Sequence, residues 1–398
     1  MNPKLQLLQP YPFEKLRQLF KEVIPNAQVK PINLSIGEPK HPTPQFIREA
    51  LSRSLDGLAN YPVTIGRDSL REAIADWLKR RYSVARIDPI TQVIPTLGSR
   101  EALFSLAQAV LDSSKADGLV LCPNPFYQIY EGAALLAGLR PHFINTLPET
   151  RFRHDWGSVP EEIWRRVQLV FTCSPGNPSG AVMTLDEWRE LFALSDKYGF
   201  VIVADECYTE IYFEENNPPL GALDAAERLG RGDFPRLVVL GSLSKRSNVP
   251  GMRSGFAAGD ASIIKQFTLY RTYHGSAMGG AIQSASEAAW KDEAHVRENR
   301  RLYAEKFETF YNIVNPVLPL TKPAASFYYW VRTPIDDKEF AVRLLRDVNV
   351  TVLPGSLLGR DAHGLNPGQN FVRVALVSSI AESTEAAHRI RNFIEKLS

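Results

Sequence analysis

Lys245 is the residue whose type and setting best suit covalent chemistry. It follows the apolar run Leu237–Gly241 and lies in the serine-rich stretch Ser242-Leu243-Ser244-Lys245-Arg246-Ser247. A lysine amine held near a phosphate and a protonated ring nitrogen loses part of its basicity, and its neutral form can then form a Schiff base. Arg253, eight residues further on, could reach the same phosphate, because a guanidinium matches phosphate geometry. The alternative is a solvated loop lysine.

Asp205 is a carboxylate that needs a cationic partner. It ends the apolar run Phe200–Ala204, and burial of an isolated carboxylate costs considerable free energy. A pyridinium N–H would supply the cation, and Asp205 would in turn keep that ring nitrogen protonated. The adjacent Glu206 points to the other side of a strand, whereas Tyr208 can reach the same cavity. A structural salt bridge with an arginine is the alternative for Asp205.

Two further turns carry groups that suit an anion or a phenolic oxygen. Gly98-Ser99-Arg100 opens a predicted helix, whose free N–H groups suit a phosphate, although an ordinary helix cap is the alternative. Asn177 precedes Pro178, and X-Pro bonds can be cis in tight functional turns that would present the amide; a plain loop is the alternative. All these groups follow predicted strands, and ligands of open α/β sheets bind at the carboxyl ends of the strands.

Short apolar runs alternate with helical patterns through the middle of the chain. The predicted strands are Val93–Leu97, Leu119–Cys122, Pro141–Ile144, Val167–Cys173, Phe200–Ala204, Leu237–Gly241 and Gly255–Ala258. They lack polar alternation, as strands do in a parallel sheet covered on both faces. Helical periodicity predicts helices over Arg100–Leu111 and Leu185–Tyr198. We therefore predict an α/β domain over residues 46–286, with a mostly parallel seven-stranded sheet and helices on both faces.

The two ends of the chain have a different pattern. Glu287–Asn312 predicts one long charged helix, and short strands are predicted over Ser326–Val331, Thr351–Pro354 and Phe371–Ala375, before a closing helix, Ser383–Leu397. Residues 287–398 are therefore predicted to form a smaller α+β domain. Residues 1–45 are Pro-rich, and we expect them to pack on this smaller domain, on a partner subunit or on both.

Composition excludes several classes of protein. With 46 Lys and Arg against 44 Asp and Glu, the net charge of +2 offers no electrostatic basis for binding nucleic acid or an anionic membrane. The 3 cysteines are too scattered for a disulfide framework or a zinc site, and we expect no metal. The sequence shows neither a signal peptide nor a long apolar run, which predicts a cytoplasmic protein. Dinucleotide-binding and P-loop glycine motifs are also missing.

Together these motifs resemble the class I and II aminotransferases, which are pyridoxal-phosphate enzymes of fold type I. The matching stretches are Ile36-Gly37-Glu38-Pro39, Tyr61-Pro62 with Gly66, Gly98-Ser99-Arg100-Glu101, Asn177-Pro178-Ser179-Gly180, Asp205-Glu206-Cys207-Tyr208 and the segment from Ser242 to Phe256. The spacings from Asn177 to Asp205 and from Asp205 to Lys245 are also similar to those of the family. The resemblance covers essentially the whole chain.

The resemblance implies a role for each of these residues. Lys245 would bind pyridoxal 5′-phosphate covalently and, once freed, move the substrate proton. Asp205 would hold the ring nitrogen protonated. The other cofactor contacts it implies are Tyr208 and Asn177 on the ring hydroxyl oxygen, Tyr127 stacked on the ring, and Ser242, Ser244, Arg253 and the backbone at Ser99 and Arg100 around the phosphate.

The resemblance also implies substrate contacts and a partner. Arg373 would pair with the α-carboxylate of the amino-acid or oxo-acid substrate, with Gly37 and Asn177 beside it. Tyr61 resembles the tyrosine that reaches the phosphate of a neighbouring subunit. The chain would then form a homodimer with shared active sites.

Within the family, the chain is most similar to the succinyldiaminopimelate aminotransferases of proteobacteria. The similar stretches are Pro10–Leu16, Ser35–Pro44, Leu243–Asn248 and Tyr270–Gly275. This implies amino transfer between N-succinyl-LL-2,6-diaminopimelate and 2-oxoglutarate or glutamate, in lysine and diaminopimelate synthesis. The distal carboxylates of that substrate need a second cation, which Arg271 or Arg100 could supply. Arg271 could equally be a salt-bridged helix residue.

Three other functions compete with this interpretation. Lys245 and Asp205 would equally serve aspartate or aromatic transamination, or a C–S lyase that cleaves cysteine conjugates. A regulator built on an aminotransferase-like domain would need a DNA-binding module, and the short Pro-rich stretch before Ile36 does not read as one. A dehydrogenase would need the glycine fingerprint that is missing here.

Overall fold

A computed structural model describes residues 1–397 of the chain, and all seven strands predicted for the middle of the chain are present in one sheet. The strands are β1 Ile32–Asn33, β2 Val93–Thr96, β3 Leu119–Asn124, β4 Arg140–Asn145, β5 Val167–Cys173, β6 Val201–Asp205, β7 Leu237–Ser242, β8 Gly255–Gly259, β9 Tyr328–Arg332, β10 Val350–Thr351, β11 Leu353–Pro354 and β12 Phe371–Ala375. In the central sheet the order is β2-β8-β7-β6-β5-β3-β4. Only β8 runs antiparallel to its neighbours, so the predicted mostly parallel sheet is confirmed.

Helices connect most of these strands. The α-helices are α1 Pro12–Leu19, α2 Gln45–Arg53, α3 Asp68–Tyr82, α4 Ser99–Val110, α5 Ile129–Ala137, α6 Glu161–Trp164, α7 Leu185–Tyr198, α8 Ala222–Arg228, α9 Leu243–Arg246, α10 Ala261–His274, α11 Gly280–Lys291, α12 Ala294–Val314, α13 Asp337–Val348 and α14 Ile380–Leu397. The sequence predicted α7 with its exact bounds, and Thr184 and Glu187 form a capping box at its start.

Helices cover both faces of the central sheet, as predicted. Helices α4, α5 and α10 pack on one face, against side chains such as Val120 and Val203. Helices α3, α7, α8 and α11 pack on the other face, against neighbouring positions such as Leu121 and Ile202. Because successive strand residues point to opposite faces, an uninterrupted apolar run is needed to fill both layers.

The direction of β8 matters for the placement of polar residues. Strands β2, β5, β6 and β7 are parallel, so their carboxyl ends share one edge of the sheet. Because β8 runs the opposite way, its first residue lies at that same edge, and Arg253 just precedes it. The turns that follow the parallel strands and the turn that precedes β8 therefore meet.

The C-terminal region forms a separate three-stranded antiparallel sheet, in the order β11-β12-β9, with an apolar core shared with α12, α13 and α14. The prediction of a single helix over Glu287–Asn312 is wrong, because α11 ends at Lys291 and α12 begins at Ala294. Asp292 has an extended backbone, and its carboxylate accepts a hydrogen bond from the His295 N–H at 3.0 Å. The extended backbone at Asp292 thus separates two helices where charge periodicity alone suggested continuity.

The N-terminal segment packs against the C-terminal region. Strand β1 pairs in parallel with β10, and Leu16 of α1 joins an apolar cluster with Trp330 and Phe371. The division of the chain into residues 1–45, 46–286 and 287–398 stays a prediction, and its second boundary falls inside α11. No helix within residues 1–397 combines the length and apolarity needed to cross a membrane.

Candidate active site

A cavity of about 540 Å³ opens at the edge where β2, β5, β6 and β7 end. The predicted site residues that line it are Gly37, Ser99, Arg100, Tyr127, Asn177, Asp205, Tyr208, Ser242, Ser244, Lys245, Arg253 and Arg373. These residues come from positions that are up to 336 apart in the sequence and are brought together by the sheet topology. Tyr61 is the predicted site residue that does not line this cavity, and its side chain is fully exposed.

Lys245 lies on the short helix α9, directly after β7, and its side chain points into the cavity. Its Nζ donates a hydrogen bond to the carbonyl oxygen of Gly37 at 2.7 Å. Burial lowers the pKa of this amine to about 8, and the positive charges of Arg373 and Arg253 contribute to the shift. A substantial neutral fraction at neutral to mildly alkaline pH makes this amine a competent nucleophile and proton acceptor.

Asp205, the last residue of β6, is 4% exposed and forms no ion pair within residues 1–397. Its carboxylate accepts hydrogen bonds from the Tyr130 hydroxyl at 2.8 Å and from the Cys207 N–H at 3.3 Å. Burial raises the pKa of Asp205, while these hydrogen bonds and the charge of Lys245 oppose that rise. A protonated ring nitrogen in the cavity would supply the cation that this carboxylate lacks.

Glu206 faces away from the cavity, as the strand alternation predicts. Its carboxylate accepts hydrogen bonds from the Tyr82 hydroxyl and from the Ala222 N–H at 2.6 Å. Burial raises its pKa to about 7. Two consecutive carboxylates therefore occupy opposite sides of one strand end, and only Asp205 is available to a ligand.

Tyr208 and Tyr328 form a buried hydroxyl pair beside Lys245. Their oxygens are 3.1 Å apart, and burial raises the pKa of both phenols, so both remain donors at neutral pH. A Cβ added to Gly37 would lie 1.8 Å from the Tyr328 oxygen, so only glycine fits there. The glycine thus lets the N-terminal segment lie directly against the cavity wall.

Arg373 is a buried cation without a carboxylate partner in residues 1–397. Its Nη1 donates to the Asn177 side-chain oxygen at 3.0 Å, and its Nη2 donates to the Ser35 carbonyl at 2.8 Å. The guanidinium carbon lies 4.3 Å from the centre of the Tyr328 ring. Its Nε has no hydrogen-bond partner. A guanidinium fixed in this way is suited to a substrate carboxylate.

Hydroxyl and guanidinium groups from the turns at Ser242 and Arg253 also line the cavity. The Ser242 hydroxyl donates to the Ser244 hydroxyl at 2.9 Å and accepts from the Ser244 N–H at 3.1 Å. Gly98 adopts φ +79°, and a Cβ there would lie 2.5 Å from Nη2 of Arg253. The left-handed glycine therefore lets Arg253 approach the start of α4. The first turn of that helix, at Ser99, offers free N–H groups to an anion.

These observations fit pyridoxal 5′-phosphate. A buried carboxylate without a counter-ion suits its ring nitrogen, and the serine, arginine and helix-start donors suit its phosphate. The Tyr208 hydroxyl and the Asn177 amide line the same cavity and would serve the ring hydroxyl oxygen. Lys245 lines it too, and its amine would bind the aldehyde.

Arg100 is an exposed cation of the cavity wall that forms no ion pair in the described part of the chain. Nε of Arg100 donates to the Tyr127 hydroxyl at 2.6 Å, and its guanidinium carbon lies 6.0 Å from the Tyr11 ring centre. Tyr11 and Phe13, at the start of α1, also line the cavity, so the N-terminal segment contributes to its wall.

Arg271, the other cation considered for a distal carboxylate, lies outside the cavity. It is fully buried and pairs with both carboxylate oxygens of Glu101 at 2.6 Å. It also donates to the carbonyl oxygen of Ser276. The structure therefore supports the salt-bridged alternative for Arg271.

Two functional neighbours, Tyr130 and Tyr328, were not predicted from the sequence. Tyr130 lies within α5 and stacks on Phe171 at 4.7 Å, so its pattern is that of a core residue. Tyr328 starts β9 in the run Ser326-Phe327-Tyr328-Tyr329-Trp330, and the sequence does not distinguish it from its aromatic neighbours. A buried tyrosine usually hydrogen-bonds through its hydroxyl, which is the one signal that could have indicated a polar partner for either residue.

A larger cleft, of about 1310 Å³, contains none of the predicted site residues. Most of its charged side chains are paired with each other or with a neighbour, as in Arg228 with Asp224 at 2.7 Å and Lys322 with Glu308 at 2.5 Å. It therefore lacks the group of buried, unpaired charges that lines the smaller cavity. The smaller cavity is therefore the candidate active site.

Comparisons with known proteins identify the family to which the chain belongs. A sequence profile described as aminotransferase class I and II matches residues 29–390. The LL-diaminopimelate aminotransferase of Aquifex aeolicus (strain VF5) is 30% identical over 402 residues, which cover 98% of each chain. A crystal structure of an aminotransferase from Neisseria meningitidis Z2491 superimposes with a TM-score of 0.96 at 51% identity, covering 98% of this chain and 99% of that one.

A third similar protein is a structure from Thermus thermophilus described as "probable N-succinyldiaminopimelate aminotransferase". It has a TM-score of 0.83 and 30% identity, and the match covers 96% of this chain and 98% of that chain. The family and its fold depend on pyridoxal phosphate. The match to the family profile spans most of the sequence, including every lining residue that the chemistry requires. The chain therefore belongs to the class I and II aminotransferases and is a pyridoxal-phosphate-dependent enzyme that acts on amino-acid and oxo-acid substrates.

Proposed function

We propose that the chain transfers an amino group between N-succinyl-LL-2,6-diaminopimelate and 2-oxoglutarate or glutamate. The observation that carries this proposal is Arg100, a guanidinium of the cavity wall that forms no ion pair within residues 1–397 and can bind a distal carboxylate. Two of the relatives named above, those from Aquifex aeolicus and Thermus thermophilus, are named for diaminopimelate and its N-succinyl derivative, respectively. Both compounds are amino acids with a second, distant carboxylate.

The cofactor-binding residues have distinct tasks in this proposal. Bound pyridoxal phosphate supplies an aldehyde carbon that takes up the amino group and a conjugated ring that accepts the electrons left when the Cα proton is removed. Asp205, oriented by Tyr130, would keep the ring nitrogen protonated. Tyr208 and Asn177 would serve the ring oxygen, and Tyr127 would contact the ring. The phosphate would be held by Ser242, Ser244, Arg253 and the N–H groups at Ser99 and Arg100.

Lys245 and Arg373 handle the substrate. Arg373 binds the α-carboxylate, which orients the Cα–H bond toward Lys245. The Lys245 amine, with its pKa of about 8, would accept the Cα proton and return it to the carbon that the cofactor contributes, on the other side of the nitrogen. Gly37 and Tyr328 close the cavity beside this amine, which limits the access of water during the proton transfer.

Substitution of Arg373 by alanine is expected to raise KM about a hundredfold or more for every amino donor, because all donors share the α-carboxylate. The measurement is steady-state kinetics with alanine, aspartate, glutamate and N-succinyl-LL-2,6-diaminopimelate. An increase confined to one donor would reassign Arg373 to side-chain recognition.

Substitution of Arg100 by methionine is expected to raise KM about tenfold for donors with a distal carboxylate, because a charged hydrogen bond is lost. The backbone N–H of residue 100 stays in place, so the affinity for pyridoxal phosphate should be unchanged. Alanine, which has no distal carboxylate, is the matched control donor, and Arg100→Lys should restore part of the affinity. An equal loss for alanine would show that Arg100 serves the cofactor instead.

Free LL-diaminopimelate is the second candidate substrate, since the Aquifex relative is named for it. Its distal end carries an ammonium group and one carboxylate, whereas that of the succinylated compound carries an amide and two carboxylates. The cavity contains two carboxylates, and one of them, Glu38, already pairs with Lys40 at 3.3 Å. Arg100 therefore favours the succinylated compound. Comparison of kcat/KM for the two donors with 2-oxoglutarate as acceptor decides between them.

We further propose a cytoplasmic homodimer with shared active sites. Tyr61 is fully exposed and follows two other exposed apolar side chains, Leu55 and Leu58, in the segment after α2. An exposed apolar segment of this kind is typical of a surface that a second subunit covers. Such an arrangement would let Tyr61 reach the phosphate site of the partner. Analytical ultracentrifugation of wild type and a Leu58→Glu variant tests the dimer.

A further inference from the structure

Three polar side chains, one half-buried and two buried, form a hydrogen-bonded chain behind the Lys245 segment that none of the roles above uses. We call His41, Asn299 and Lys306 the His41 chain. His41 lies four residues after Gly37, and Asn299 and Lys306 are seven apart on α12, so they face the same side of that helix. Asn299 and Lys306 are each 2% exposed.

Asn299 binds the backbone of the reacting lysine. Its Nδ2 donates to the carbonyl oxygen of Lys245 at 3.2 Å and to that of Arg246 at 3.4 Å. These residues end α9, and the last carbonyls of a helix have no partner within it. Because only the NH₂ group can donate to carbonyls, the Asn299 oxygen must face the other way, where it accepts from Asn248 at 3.1 Å.

The orientation of Asn299 fixes the protonation of His41. Nδ1 of His41 lies 2.7 Å from the Asn299 oxygen, so this nitrogen must carry the proton. Nε2 is then an acceptor, and the Lys306 ammonium lies 2.7 Å from it. Burial lowers the pKa of His41, as does the neighbouring charge of Lys306, so the neutral ring is the stable form at neutral pH.

Lys306 is a buried cation whose partners are all neutral. Besides His41, it donates to the carbonyl oxygen of Val377 at 3.3 Å and lies 4.9 Å from the centre of the Tyr303 ring. It forms no ion pair within residues 1–397, and burial lowers its pKa to about 8. A buried charge without a counter-ion costs stability, so an apolar side chain would suit the fold better here. That the chain nevertheless has a lysine at this position indicates a functional role for Lys306.

We propose that His41 is a positioning residue for Lys245. Through its Nδ1–H it holds the Asn299 amide on the backbone of Lys245, and its own segment presents the Gly37 carbonyl to the Lys245 amine. Lys306 fixes the His41 tautomer that this donation requires. The proposal rests on the role assigned above to Lys245 as the reacting amine.

The first test is a comparison of His41→Phe with His41→Asn. Phenylalanine keeps a planar ring and loses both nitrogens, whereas asparagine keeps an N–H donor near the position of Nδ1. We expect His41→Phe to lower kcat between about tenfold and about a hundredfold, because small displacements of a reacting group are costly. KM for the amino donor should stay within about twofold, since Arg373 and Arg100 are untouched. His41→Asn should recover most of kcat.

Lys306→Met tests the other end of the His41 chain. We expect kcat to fall, because His41 can then adopt the other tautomer, while the melting temperature does not fall, because an unpaired buried charge is removed. The double variant His41→Phe/Lys306→Met should be no slower than His41→Phe alone, since both act through one contact. Additive losses would overturn the proposal.

Hydrogen exchange of the holoenzyme supplies a readout independent of turnover. The amides of residues 243–248 should exchange faster in His41→Phe and return to the wild-type rate in His41→Asn, while those of α10 stay unchanged in both. Wild-type kcat in His41→Phe, equal damage in both variants or unchanged exchange at residues 243–248 would each refute the role of His41. Failure of the wild type to attach pyridoxal phosphate at Lys245 would instead refute the proposed function.

Discussion

Replacement of Lys245 by alanine abolishes turnover, and we expect kcat to fall by about 10⁴-fold or more. The variant loses both the amine that attaches the cofactor and the group that moves the Cα proton. Reduction of the wild type with borohydride should leave a pyridoxyl group on Lys245 that peptide mass spectrometry locates, and the variant should carry none. Pyridoxal phosphate should still bind noncovalently, because its phosphate contacts are intact.

Lys265→Ala is the matched control for this experiment. Lys265 lies on the exposed side of α10 and makes no contact with the cavity, so its loss should leave kcat unchanged. Circular dichroism of Lys245→Ala should match the wild type, which separates lost chemistry from lost folding. Wild-type activity in Lys245→Ala, or a pyridoxyl group on another lysine, would contradict the mechanism.

Asp205→Ala is expected to lower kcat by about three powers of ten or more while the fold persists. Without the carboxylate, nothing at that end of the cavity favours a protonated ring nitrogen, so the bound ring accepts electrons poorly. The assay is run at saturating pyridoxal phosphate, so that weaker cofactor binding does not imitate a slower reaction. A loss of only a few-fold would mean that the ring nitrogen is not controlled by Asp205.

Glu206→Gln is a sharp control for Asp205→Ala, because the two carboxylates are adjacent and both are buried. Glu206 binds Tyr82 and Ala222 on the other side of the strand. Glutamine keeps acceptor capacity there, so kcat should stay within about threefold of the wild type. A comparable loss in both variants would indicate a general effect on the end of β6 rather than a specific effect on the cofactor.

The central sheet could be predicted because buried strands leave a clear pattern. Runs such as Val167–Cys173 contain almost no polar residues and end at turns rich in Gly, Pro and Asn. The antiparallel direction of β8 leaves no such pattern, since a buried run looks the same in either direction. The break between α11 and α12 was missed because it lies in the backbone conformation of Asp292, which leaves no mark on the charge periodicity.

The site residues that follow strands were also predictable, since strand ends converge at one edge. The role of Arg271 could not be decided from the sequence, because a buried, salt-bridged arginine and a ligand-binding arginine have the same local sequence pattern. Its partner, Glu101, is 170 residues away in the chain. The contacts of Tyr130 with Asp205 and of Tyr328 with Tyr208 were inaccessible for the same reason, since both depend on long-range packing.

Asp205 and Glu206 point to opposite sides at the end of β6. The activity should therefore depend on the number of residues in this strand as well as on their types. A single-residue insertion or deletion within Val201–Asp205 would shift the strand by one step and exchange the sides of Asp205 and Glu206. In a library of variants, many apolar replacements at Ile202 or Val203 should therefore retain activity. Almost every insertion or deletion of a residue there should abolish it. The number of residues in β6 therefore determines which of the two carboxylates faces the cavity.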